Sequence, residues 1–150
     1  MKGTFSFDFD KDSLSHFEAQ CEAAIRNLGK GTMKATTAAC EEILGNSMAE
    51  VPKDTHTLLM SAFYEVTKRI DVSSTSFEAV VGYGGNGDPV NPKTGRRASS
   101  YMVKVHEDLS AYHSTGKAKF LEDPVREYAR ENFPRTVFTY AQESLAAMSD

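Results

Sequence analysis

Two histidines and two acidic residues lie close together in the second half of the chain and are the first candidates for a chemical site. They are His106, Glu107, Asp108 and His113. Imidazole and carboxylate groups bind divalent metal ions and can act as general acids or bases. The two histidines lack the H-E-x-x-H spacing that places two ligands on one helix face. We therefore interpret the four as polar residues at the rim of a domain, with a small metal-dependent enzyme as the alternative.

A glycine-rich segment, residues 82–87, matches the pattern G-x-G-x-x-G. That pattern binds a dinucleotide only where a helix begins directly after it, because the helix N-terminus holds the pyrophosphate. Here Asp88-Pro89 follows, and Pro92 comes soon after, which is not how a helix begins. The glycines are therefore typical of a loop, and we predict neither a nucleotide site nor any other cofactor.

Three basic residues, Lys93, Arg96 and Arg97, cluster in the next part of the chain. The chain as a whole carries a formal net charge of −4, which disfavours a general nucleic-acid-binding role. We expect this segment either to be a solvated loop or to contact a partner subunit or DNA passing through a channel. A nucleic-acid-binding module built on it is a third possible function.

The two cysteines do not predict a reactive site. Cys21 and Cys40 fall on apolar positions of helical patterns and have no C-x-x-C partner. Buried free thiols are therefore favoured over a disulfide. No G-x-S-x-G motif of a nucleophilic serine occurs either.

The elements that must position these residues begin with a short strand, residues 4–10, in which phenylalanine alternates with polar residues. A helical pattern follows, and the glycines at 29 and 31 predict a break or kink in it. The pattern then resumes as far as Val51-Pro52, because proline disfavours helix at the residue before it. Asp54 is placed to cap a third helix that runs to Ile70.

Two alternating segments, 75–83 and 99–107, predict an antiparallel hairpin whose long, flexible connection is residues 84–98. A helix is expected after Asp123-Pro124, ending at Pro134, with a last helical segment beyond it. The expected fold is α+β, with several helices on a small antiparallel sheet made of the hairpin and the strand 4–10.

Length and composition agree with one soluble globular domain. The chain has 150 residues, of which 40% are hydrophobic and 25% charged. No apolar run approaches the roughly 18 residues that a membrane span needs. The N-terminus lacks the apolar core of a signal peptide, so we expect no membrane contact and assembly in a cytoplasm.

Two segments also carry a resemblance. Residues 101–107, Tyr-Met-Val-Lys-Val-His-Glu, precede Gly116-Lys-Ala-Lys-Phe-Leu-Glu-Asp-Pro124, and an upstream segment, 51–58, reads Val-Pro-Lys-Asp-Thr-His-Thr-Leu. In this order they resemble tailed-phage neck and tail-completion proteins, the family named after gene product 10 of phage HK97. Met102 stands where the family often has Ala, and His56 where it usually has Gly. The two matches cover roughly a quarter of the chain.

The resemblance implies a non-enzymatic structural protein of the virion, placed at the neck between head connector and tail. Copies would form a closed ring that joins or completes the tail, contacting connector or adaptor proteins and tail-tube or tail-terminator proteins. Under this reading Glu107 and Asp108 of one copy meet Lys117, Lys119 or Arg126 of the next. His106 and His113 would belong to the same contact surface.

Overall fold

The computed structural model describes residues 10–70, 75–85 and 87–148, and its longest element is the helix α1, Lys11–Glu50. The Asp10 carboxylate begins this helix by accepting the backbone N–H groups of Asp12 and Ser13, each at 3.4 Å. The helix ends where predicted, just before Val51-Pro52. Apart from Asp10, which caps α1, the predicted strand 4–10 lies outside the described residues.

The predicted break at residues 29–31 is wrong, because α1 continues through both glycines. The last helix, α5, Phe133–Ala146, packs against α1 at this point. A Cβ atom added to Gly31 would lie 2.6 Å from both the Ser144 Oγ and the Tyr140 carbonyl oxygen. Gly31 is therefore a site of close helix approach, and the packing of α5 offsets the helix propensity that glycine lacks.

The sheet is a hairpin that contains the predicted strand 75–83, but the partner of that strand is not the predicted segment 99–107. A short helix, α2, Thr57–Met60, leads into β1, Ala62–Ile70, which pairs antiparallel with β2, Thr75–Tyr83. The predicted third helix therefore covers only one turn, and the rest of that segment is strand. Residues 99–107 form no strand; they contain a 3-10 turn, Ala98–Ser100, and α3, Met102–Glu107.

The turn before α2 contains a non-glycine residue with a left-handed backbone conformation. His56 has φ 58°, in the left-handed region that glycine adopts without strain. A histidine thus occupies a position whose backbone conformation suits glycine better.

The C-terminal helices agree with the sequence prediction. After α4, Glu122–Glu131, the chain turns at Asn132 into α5. Pro134 lies in the first turn of α5, where its missing N–H has no helical partner to lose. Both cysteines are free thiols. Cys40 is buried as predicted, but Cys21 is exposed.

The core lies where the end of α1, the base of the hairpin and the segment before α4 meet. Its buried members are Val51, Leu58, Tyr83, Ala98 and Phe120. The rings of Tyr83 and Phe120 meet edge to face with centroids 5.1 Å apart. The chain therefore has the small α+β fold expected from the sequence, and no helix in its described part is long and apolar enough to cross a membrane.

The two glycines of α1 form a matched test of this packing. No heavy atom lies within 4 Å of a Cβ built on Gly29. We expect Gly29→Ala to stabilise the fold by about 0.5–1 kcal/mol, because alanine is the better helix former. Gly31→Ala should instead destabilise it by about 1–3 kcal/mol through overpacking against α5. Urea unfolding of both variants measures this, and equal effects would contradict the close approach.

Candidate functional site

The candidate site is a charged rim beside α3, which we define as His106, Glu107, Lys119 and Glu122. His106 lies at the end of α3, and its ring meets Phe120 edge to face at 5.0 Å. Its Nε2 atom accepts the backbone N–H of Glu122 at 3.3 Å, and its Nδ1 atom lies 2.8 Å from a Glu107 carboxylate oxygen. Both ring nitrogens therefore have partners within the chain.

Lys119 is the cation at the centre of this rim. Its Nζ atom lies 2.5 Å from Glu107 and 2.7 Å from Glu122, and Arg126 contacts Glu122 at 2.6 Å. Hydrogen bonds from Lys119 and then from His106 lower the pKa of Glu107. The hydrogen bond from Lys119 likewise lowers the pKa of Glu122, and the two carboxylates raise the pKa of Lys119. The rim is thus a network of paired charges.

A second set of contacts docks the preceding segment on the end of α1. Lys117 donates its backbone N–H to the Glu50 carbonyl at 2.9 Å, and its Nζ atom lies 3.0 Å from Glu50 and 2.9 Å from Asp123. Gly116 has φ +81°, and a Cβ there would lie 2.5–2.6 Å from the backbone of residues 50–52. The glycine of the family-like motif is therefore required by a close backbone approach.

Asp108 and His113, the other predicted rim residues, lie apart from this network. Asp108 accepts the backbone N–H and the hydroxyl of Ser110, which lowers the pKa of its carboxyl group. His113 is half-buried, and its Nε2 atom has no hydrogen-bond partner among the described residues. Within the described ranges, no three His, Cys, Asp or Glu residues come close enough together to hold a metal ion.

The basic segment is not the tip of a hairpin, because it connects β2 to α3. A bridge between Val90 and Arg97 closes it into a compact loop. Lys93 pairs with Asp54 at 2.6 Å, and Arg97 donates to the Asp88 carbonyl at 3.4 Å. Arg96 is exposed. Of the three cations of the loop, Lys93 is therefore paired with a carboxylate, and Arg97 is held by a backbone carbonyl.

The described surface also carries large apolar side chains that are exposed to solvent. On the first half of α1, Leu14, Phe17 and Ile25 are exposed, Ile25 by 70%. At the far end of the hairpin Ile70 is 73% exposed, and in the loop after α3 Tyr112 is 92% exposed. On α1 these side chains recur at the three- and four-residue spacing of an apolar helix stripe, which is their signal in the sequence.

Two apolar cavities flank the hairpin. One, of about 320 Å³, lies between the base of the hairpin and α3 and is lined by Phe63, Met102 and His106 among others. The other, of about 530 Å³, lies between β2, α1 and α4. At its base, burial raises the pKa of the Cys40 thiol, which keeps this group protonated and unreactive.

Comparison of the chain with protein-family models, with curated proteins and with solved structures found no match. The site therefore stands on its own geometry. In that geometry paired charges fix a surface loop at the end of α1, while exposed apolar side chains lie on the first half of the same helix.

Two glycines with positive φ test the docking of the Gly116 segment. Gly95 has φ +69° and an open surrounding, so Gly95→Ala should cost only the roughly 1–2 kcal/mol of left-handed backbone strain. Gly116→Ala has the same strain and also meets the end of α1, so we expect a loss of about 3 kcal/mol or more. Thermal and urea unfolding would contradict the docking if the two variants were equally stable.

The rim predicts a specific loss of stability in acid. The folded-state pKa values of Glu107 and Glu122 are lowered from 4.5, so the unfolded state binds protons first as the pH falls. Their contribution is complete above the unfolded pKa and disappears as the pH falls from about 5 through the lowered folded values. Lys119→Met should make this acid dependence shallower.

Lys30→Met is the matched control, because it removes the same charge at an exposed residue. Lys30 has no ion pair in the described part of the chain. Its acid dependence should remain that of the unmodified protein. Urea unfolding from about pH 2 to pH 7 measures both variants, and identical slopes would rule out a stabilising rim.

Proposed function

We propose that this protein is a non-enzymatic structural subunit of a tailed-phage virion. It would lie at the neck between the head connector and the tail, where a ring of copies joins or completes the tail. The observation that carries the proposal is the apolar surface of α1, where Leu14, Phe17 and Ile25 are exposed over the first turns of a 40-residue helix. Large exposed apolar patches mark interaction surfaces.

The family-like motif supports the proposal through its physical roles in this chain. Gly116 permits the approach to α1, Phe120 is 1% exposed in the core, and Pro124 is buried at the start of α4. Residues with such roles keep a fold constant while its surface varies. The resemblance therefore falls on residues that define the scaffold.

An apolar contact between neighbouring copies is favoured over the predicted contact between charged residues. Glu107 already pairs with Lys119, and Lys117 with Glu50 and Asp123, all within one chain. A neighbour could use these groups only by displacing existing partners. We therefore place the principal contact between copies on the exposed apolar side chains of α1 rather than on the rim and Arg126.

The basic loop fits a channel better than a binding site. Lys93 is paired with Asp54 and Arg97 donates to the Asp88 backbone carbonyl, so the loop offers a phosphate backbone only a few exposed cations. A surface that conducts DNA should hold it weakly, since affinity grows with each phosphate that is neutralised. Contact with passing DNA, in the virion, is therefore proposed as transient.

Light scattering over a concentration series, with negative-stain images of large species, tests the proposal. We expect closed rings, and we expect Phe17→Ser and Ile25→Ser to shift association to higher concentration. Because both side chains are exposed in the single chain, each substitution should change its stability by no more than about 0.5 kcal/mol.

Glu18→Ser serves as the control on an exposed polar position of the same helix half. It should assemble like the unmodified protein. A protein that stays monomeric over the whole series, or rings that are indifferent to loss of both apolar side chains, would refute assembly through α1.

A further inference from the structure

The outer edge of β2 has no partner strand in the described part of the chain. The sheet contains β1 and β2 alone, and β2 pairs with β1 along its whole length, from Thr75 to Tyr83. A two-stranded sheet is marginally stable, and a free edge presents unpaired N–H and C=O groups. This edge is therefore ready to accept a third strand.

An apolar groove runs along the same edge. It is the cavity of about 530 Å³, with β2 on one side, α1 beneath and α4 with the start of α5 on the other side. Its lining includes Phe77, Ala79, Val81, Ile43, Val125 and Phe133. Ala79 is exposed and Phe133 is 41% exposed, so the groove is accessible from outside.

The chain contains a segment whose pattern fits this groove. Residues 4–9, Thr-Phe-Ser-Phe-Asp-Phe, alternate polar and aromatic side chains and lie outside the described residues. When a strand is added to a sheet edge, alternate side chains turn to the same face. Phe5, Phe7 and Phe9 would then all enter the apolar groove, while the polar residues face solvent.

The segment cannot reach the groove of its own chain. Thr36, the first groove residue on α1, lies 26 residues beyond Asp10, or about 39 Å along a helix that rises 1.5 Å per residue. Six extended residues span only about 20 Å. A segment that folds back from Asp10 therefore ends far short of the groove.

We propose that residues 4–9 of a second copy add to the outer edge of β2, with their phenylalanines in the groove. Each copy then gives a strand to one neighbour and receives one from another, a head-to-tail contact that can close into a ring. The strand exchange names the segment through which copies would associate. It rests on the proposed function only in requiring that copies associate.

The first test removes the donor strand. Deletion of residues 1–9, or Phe7→Ser alone, should weaken self-association by about tenfold or more in light scattering, as loss of an aromatic anchor does. Ser6→Ala, on the solvent side of the strand, should leave association unchanged. On the acceptor side, Ala79→Lys should act like Phe7→Ser, whereas Ser76→Lys, outside the groove, should not.

The second test detects the contact directly by disulfide cross-linking between two chains. In a Cys21→Ser, Cys40→Ala background, one chain carries Phe5→Cys, Phe7→Cys or Phe9→Cys and the other carries Ala79→Cys. Mixing should give an interchain disulfide for at least one of the three donor positions. Glu78→Cys, whose side chain lies on the opposite face of β2, should give none with any of them.

The outcomes separate this inference from the proposed function. Rings that persist without residues 1–9 would overturn the strand exchange and leave the ring proposal intact. An intrachain disulfide in a dilute double variant Phe7→Cys, Ala79→Cys would overturn the second copy as donor. A strictly monomeric unmodified protein would overturn both.

Discussion

Tyr83 is the point at which the separate parts of this chain are held together. Its hydroxyl lies 2.8 Å from the buried Ser47 hydroxyl of α1, and its ring packs edge to face on Phe120. Phe120 in turn supports the ring of His106 on α3. Burial raises the pKa of the Tyr83 phenol, so it stays a neutral partner for Ser47. The end of α1, the hairpin, α3 and the segment before α4 thus share one buried junction.

The sequence predicted β2 correctly but placed its partner strand at residues 99–107 instead of at β1. The alternation that ends at Tyr83 predicted β2 correctly. Residues 99–107 alternate equally well, but Tyr101 and Val105 are also four apart, which fits a helix packed by one face. Conversely, Leu59, Phe63, Val66 and Ile70 have helical spacing although most of them lie in a strand. Short apolar runs satisfy both periods, so periodicity alone could not decide between helix and strand in either segment.

The failed prediction at Gly31 has a different physical cause. Helix propensity is local, whereas the reason for glycine here is the Tyr140 backbone and the Ser144 side chain, more than a hundred residues away. The same contrast between local and long-range causes applies to the candidate site. The sequence named His106, Glu107 and Lys119 of the rim because their residue types are visible, but it missed Glu122 and added Asp108 and His113, since which groups pair depends on the turn at Lys119, with φ 59°. No periodicity reports such a turn.

The pairing of the rim charges has a consequence for how this protein recognises others. A charge that is already neutralised within its own chain gains little from a new partner, because the old pair must first be broken. Apolar side chains in water gain on any burial. In the described part of the chain, the exposed half of α1, the unpaired outer edge of β2 and the groove beside it are therefore surfaces with free energy left to contribute. The rim then acts by rigidity, since it holds α3 and the Gly116 segment where a neighbour can meet them without an ordering cost.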